Sequence, residues 1–279
     1  MIGAEFLKLR KRQMTTVLLF ILIGIVVLVN FILLAISKAK LPTTGHAMGN
    51  IQNYLGLPVA IPFALMLISS FGSVLAIILT ASSVGNEYNW KTLRTALISS
   101  ESRFKFLVSK LVSLAILILV GMLIAIIVGF IMGFITTALG GYKFDLSFAT
   151  GSYFWTQFLQ FLRTFFVIIP FALLGFMMAI FGRSAMPGIA TGIGVVFLES
   201  IITAFMSLAG GWIAKVPDYL LSANVSAITA LNGLPKGFGG GGQNEVLPSV
   251  THAYVILSVY AVAFLFLAFY LFKKRDVTG

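Results

Sequence analysis

Long apolar runs without charge dominate the chain and recur at Thr15–Ile36, Leu57–Thr80, Leu111–Leu139, Phe161–Phe181, Met186–Leu208 and Tyr254–Phe272. Runs of about 20 such residues are long enough to cross a bilayer as helices. No Asp, Glu, Lys or Arg stands between Lys40 and Glu87, and none between Lys110 and Lys143. The runs are continuous rather than alternating, which excludes the pattern of an outer-membrane barrel. The prediction is an all-α integral membrane protein in which residues 1–279 form one transmembrane domain of six helices. The first run, 22 residues long, exceeds the core of about 7–15 residues expected of a secretory signal, and no small-x-small cleavage site precedes Lys38. It reads as a retained span.

Three segments outside the spans carry their own patterns. Within residues 1–14, Ile2, Phe6 and Leu9 share one helical face, and Lys8, Arg10, Lys11 and Arg12 form a basic part. That is the pattern of an amphipathic helix in the headgroup layer, so membrane lipid is an expected partner. Within residues 81–110, Asn86 suits a helix N-cap, with Glu87 at the positive helix end. Trp90, Leu93 and Leu97 then mark one face, with Lys91, Arg94 and Thr95 opposite. A helix of about twelve residues is marginal alone, so this ridge needs burial against the membrane surface or in a groove on a partner protein. Within residues 209–252, Tyr219 to Leu231 is apolar but too short to cross, which suits a re-entrant or interfacial helix stopped by Asn232-Gly233-Leu234-Pro235. Gly239 to Gly242 read as a flexible tether.

Composition sharpens the class. Of 279 residues, 59% are hydrophobic and 10% charged, against about 25% charged in a soluble domain, which excludes a water-soluble globule. Disordered chains are poor in the apolar residues abundant here. The net charge of +11 comes from topology anchors. Inner segments hold Lys8 to Arg12, Lys91, Arg94, Arg103, Lys105, Lys110, Arg183 and Lys273 to Arg275, whereas outer loops hold Lys38, Lys40, Lys143, Lys215 and Lys236. This bias predicts both termini in the cytoplasm of a cell-membrane protein, and it removes nucleic acid as a partner.

Candidate chemistry is sparse. There is no cysteine and there are two histidines, His46 and His252, so no metal site is expected. No phosphate-binding G-x-x-x-x-G-K-[ST] loop occurs. The inner carboxylates Glu5, Glu87, Glu101 and Asp276 fall on separate segments, with no spacing that implies shared acid–base work. No enzyme is predicted. Glu199 is the intramembrane polar candidate, roughly 13 Å from the outer end of its span. Such a carboxylate must face the bundle or water and marks a functional site by default; the structural alternative is a hydrogen bond to Thr203. Asn30 and Arg163 are weaker cases. Gly129-x-x-x-Gly133 and Gly188-x-x-x-Gly192 permit close helix approach, read here as packing within the chain.

Glu87-Tyr88-Asn89-Trp90-Lys91-Thr92-Leu93-Arg94-Thr95-Ala96-Leu97-Ile98-Ser99, followed by Ser102-Arg103 and Ser109-Lys110, resembles the first inner loop of ABC type-2 transporter permeases. Glu5, Lys8, Leu9 and Arg10 resemble the E-x-x-K-L-R leader of that family. The order of segments extends the resemblance over nearly the whole chain. Ser100 stands where the family often has Pro, and Ala96 where it often has Leu. The resemblance implies a cytoplasmic coupling helix in which Glu87, Trp90, Lys91, Leu93, Arg94, Leu97 and Arg103 meet a separate ATP-binding-cassette subunit. The leader residues Glu5, Phe6, Lys8, Leu9 and Arg10 would touch the same partner. A second permease subunit, identical or not, would complete the path, with ATP and magnesium bound by the partner rather than by this chain. Implied cargo is an antimicrobial peptide, drug or lipid-like molecule. The competing reading is a gradient-driven secondary transporter or channel. It would call for several intramembrane ionisable residues, where Glu199 stands alone.

Overall fold

A computed structural model describes residues 2–39, 55–89, 102–141, 144, 146–209, 212–232 and 247–274. Every regular element among the described residues is helical. The leader forms α1 (Ile2–Arg10), and a turn at Lys11-Arg12 leads into α2 (Gln13–Ala39). The remaining elements are α3 (Leu57–Asn89), α4 (Arg103–Gly140), α5 (Gly151–Gly182), α6 (Ala185–Ala209), the short α7 (Leu221–Thr229) and α8 (Val250–Lys274). Six of these, α2 to α6 and α8, are long and apolar enough to span a membrane, so the six predicted runs each lie inside one helix. The chain has the make-up of a multi-pass membrane protein.

Local chemistry sets the helix ends. Ser102 caps α4 by accepting the Lys105 N–H at 3.1 Å, and Thr150 caps α5 by accepting that of Tyr153 at 3.3 Å. Helix α4 stops at Gly141, whose φ of 71° is the left-handed conformation glycine adopts without a Cβ clash. Pro58 opens α3, where its missing N–H costs nothing. Pro62 and Pro170 lie inside α3 and α5. Helix α3 also contains a π turn at Ile68–Gly72.

Helices α3 and α5 are the inner pair. In each, 61% of the most apolar stretch is buried, against 17–28% in α2, α4, α6 and α8. The small-residue motifs explain the close approach. A Cβ on Gly129 or Gly133 would sit 2.5 Å from the Cβ of Ala64 or Ala60 on α3. A Cβ on Gly188 would meet the Gly175 carbonyl of α5 at 2.7 Å, and one on Gly192 the Ile77 side chain of α3 at 2.4 Å. Both motifs therefore serve packing within the chain, as small residues do between membrane helices.

One expectation is overturned. Asn86 is no N-cap, and Glu87 does not begin a helix: both lie in the last turns of α3. The helix runs on because the residues past Thr80 are small and close-packed, with Ala81 to Gly85 all buried. Ser83 returns its hydroxyl to the Thr80 carbonyl at 2.7 Å, and a Cβ on Gly85 would strike the Ala185 backbone at 2.1 Å.

Candidate functional site

Glu87 therefore stands at the negative end of a helix, where its charge is unfavourable. It is fully buried, and three cations gather on its Oε1. Lys8 of α1 donates at 2.5 Å, Lys110 of α4 at 2.9 Å, and Arg12 of the α1–α2 turn at 3.4 Å. Lys110 is itself fully buried and reaches Glu5 at 3.2 Å, while Lys8 bridges to Glu5 at 3.5 Å. Lys110 and Arg12 also donate to the Ser83 carbonyl at 3.4 and 3.3 Å. These last contacts place positive charge on a carbonyl near the C-terminus of α3, the negative end of the helix. A buried carboxylate and a buried ammonium persist in an apolar interior only when paired and hydrogen-bonded, and this hub supplies both conditions.

The hub joins four parts of the chain. Glu87 lies at the end of α3 and Lys110 two turns into α4, so they flank the segment 90–101 on both sides. Lys8, Glu5 and Arg12 tie α1 to that junction. Leu9, 1% exposed, packs with Val84, Leu107 and Leu114, while Phe6 is half-buried and Arg10 exposed. The leader is thus clamped onto the bundle by its polar side as well as its apolar one. Arg103 donates to the Lys273 carbonyl at 3.5 Å, and the Phe106 and Phe272 rings stack at 6.1 Å, bringing the end of α8 to the start of α4. Trp90, Lys91, Leu93, Arg94 and Leu97 lie outside the described residues.

The expectation that the inner carboxylates stand apart is corrected for Glu5 and Glu87, which share Lys110. Lys110, counted as a topology anchor and included in the loop resemblance, receives no site role from the sequence. Its signal was position: it is the last cation before a charge-free stretch, and Glu87 is the first charge after one.

At the opposite end of the bundle, Glu199 of α6 meets α7. Its Oε1 accepts the Leu221 N–H at 3.1 Å and its Oε2 the Ser222 N–H at 2.7 Å. Thr203 is not its partner. The carboxylate caps the positive end of α7, a stronger match than a hydroxyl because charge and orphan amides coincide. The other end of α7 is held from α5. Gln160 donates to the Asn232 carbonyl at 3.0 Å, and Arg163 to that of Leu231 at 3.5 Å. Leu221, Ala227 and Ile228 pack with Val167, Phe171, Ala253, Leu257 and Ile77 of α5, α8 and α3. Asn224 and His252 secure the preceding turn through the Asp218 carbonyl, at 2.8 and 3.1 Å. Among the described residues no group of three His, Asp or Glu forms a metal site.

The chain belongs to a family described as "Protein of unknown function (DUF2705)", whose model matches residues 52–278. It is similar to the protein described as "Uncharacterized protein YhcI" of Bacillus subtilis (strain 168), at 28% identity over 213 residues. The match covers 73% of this chain and 64% of that relative, so the chain spans less than two thirds of the relative's length. The family match contains Glu87, Lys110, Glu199 and all of α7, whereas the leader residues of the hub precede it.

Proposed function

We propose that this member of the family is the membrane-embedded subunit of an ATP-driven exporter in the cell membrane, with both termini cytoplasmic. Nucleotide and magnesium belong to a separate ATP-binding-cassette subunit, and a second permease subunit completes the path. The observation that carries the reading is the hub. Glu87 and Lys110 bracket the segment that resembles a coupling helix, and both are fused ionically to the leader. A push on residues 90–101 is therefore delivered to α1, α3 and α4 together rather than dissipated in a loop. Packed elements with two arrangements convert such a push into movement of spans. The short α7, pinned between α5, α6 and α8, is the re-entrant valve in this scheme, and an antimicrobial peptide, drug or lipid-like molecule is the cargo.

Glu199 bears on the competing gradient-driven reading. A proton relay needs a carboxylate free to exchange its proton, and both oxygens of Glu199 accept backbone amides. That favours a structural role for Glu199 and an external energy source for transport.

The test is whether a cassette ATPase is encoded in a neighbouring reading frame and co-purifies with this chain. The double variant Trp90→Asp, Leu93→Asp is expected to insert normally and to lose at least about tenfold in ATPase recovery, the equivalent of about 1.4 kcal/mol in docking. Undiminished recovery, or transport by the purified chain with no nucleotide hydrolysed, overturns the proposal.

A further inference from the structure

Between α1, α2, α3 and α4 lies a cleft of about 450 Å³, within the range of ligand sites of roughly 300–1,000 Å³. Its deep wall is apolar, including Leu22, Ile68 and Met122, and the π turn of α3 contributes Gly72. Gly121 of α4 keeps it open: a Cβ there would meet only Leu19, at 3.9 Å. The polar lining is confined to the hub end, where Arg10, Thr15 and Thr16 stand.

Arg10 differs from Lys8 and Arg12, and unlike Lys11 it lines the cleft. Lys8 and Arg12 spend their charge on Glu87, whereas Arg10, exposed on the same leader, meets no carboxylate among the described residues. Among the described residues no acidic side chain lines the cleft. The site thus pairs an apolar slot along the spans with an unneutralised guanidinium at one mouth. A guanidinium fork matches phosphate oxygens in bidentate geometry.

We infer that this cleft binds one anionic phospholipid of the bilayer, with an acyl chain between α2 and α4 and its phosphate on Arg10. Moving a chain from bilayer hydrocarbon into an apolar slot changes little in free energy, so selection falls on the headgroup. Basic pockets between membrane helices select anionic lipid in this way. The lipid then braces the leader from the side opposite the Glu87 hub. The assignment requires a bilayer and does not depend on the export reading.

The experiment is native mass spectrometry of the purified full-length chain given equimolar phosphatidylglycerol and phosphatidylcholine of identical chains. One phosphatidylglycerol is expected to be retained with about fivefold preference, the size of a single basic contact near a membrane surface. Arg10→Gln should bring the preference close to parity, while Lys11→Gln, altering an exposed neighbour outside the cleft, leaves it in place. Gly121→Leu should fill the slot and lower retention of both lipids; Gly121→Ala, which fits the space, should not. Equal retention by the unmodified protein, a preference indifferent to Arg10→Gln, or the same loss with Lys11→Gln each overturns the site in favour of general surface attraction. Unchanged retention in a folded Gly121→Leu protein does so as well, by showing the bound lipid to be peripheral.

Discussion

Glu87 carries one negative charge into a fully buried position and gathers three positive ones around a single oxygen. The arrangement holds only as a set. Removing one partner of a buried pair leaves the other charge uncompensated, which costs about 3 kcal/mol or more. Glu87→Gln is therefore expected to lower the melting temperature of the detergent-purified protein sharply, and Lys110→Met to lower it by a smaller amount, because Lys8 and Arg12 remain on Glu87. The double variant should be less destabilised than the sum of the two, because both changes remove the same direct Glu87–Lys110 contact. Additive effects would mean the two side chains act independently. Neither role was legible in the residue types: a Lys at the start of a span reads as an anchor, and only a fold that turns α1 back across α3 and α4 makes it the centre of a network. The partners of Glu87 lie up to 79 positions away, beyond the reach of any local pattern.

At the scale of elements, the spans were legible and their ends were not. Hydropathy marked the apolar middle of each helix, but α3 and α4 extend well past it. Small buried residues such as Ser83 and Gly85 carry no hydropathy signal, yet they pack as tightly as the leucines. Within the expected inner segment of 81–110, residues 81–89 continue α3 and residues 103–110 begin α4. Helix α7 shows the converse. Its nine residues fall inside the apolar stretch Tyr219 to Leu231, while the side chains that hold it come from α5 and α6. Glu199 serves its N-terminus and Arg163 its C-terminal end, each sign of charge opposed to the helix dipole. Glu199→Gln keeps an acceptor for one amide but turns an NH2 donor toward the other. The expected loss is about 2 kcal/mol of local stability, read as faster amide hydrogen exchange across 221–229 with α5 unaffected. Exchange spread evenly over the whole bundle would assign Glu199 a general packing role instead.

For the molecule as a whole, the basic side chains collect at the end of the bundle that holds the hub. Besides Lys8 and Lys110, that end carries Arg103, Lys105 and the closing residues of α8. The absence of cysteine makes orientation directly measurable, since a single introduced thiol has no background. In intact cells, Ala149→Cys is expected to react with an impermeant maleimide, and Lys273→Cys only after lysis. The reverse pattern would invert the proposed topology and place the hub outside. The molecule's outer helices show apolar side chains such as Phe20, Phe197 and Phe266, each at least 65% exposed, as lipid-facing surfaces do. The inner pair α3 and α5 holds the small-residue contacts.

The wide turn at Ile68–Gly72 sets the phase of everything below it in α3. Such a turn amounts to one surplus residue in an otherwise regular coil, and one residue corresponds to about 100° of rotation at 3.6 per turn. Excising Ser70 would straighten the coil and swing its lower half by about that angle. Gly85 would then leave its notch against Ala185, and the carboxylate two positions on would face away from its cations. The irregularity in mid-span is thus the compass that keeps the far end of the helix aimed at its counter-charges.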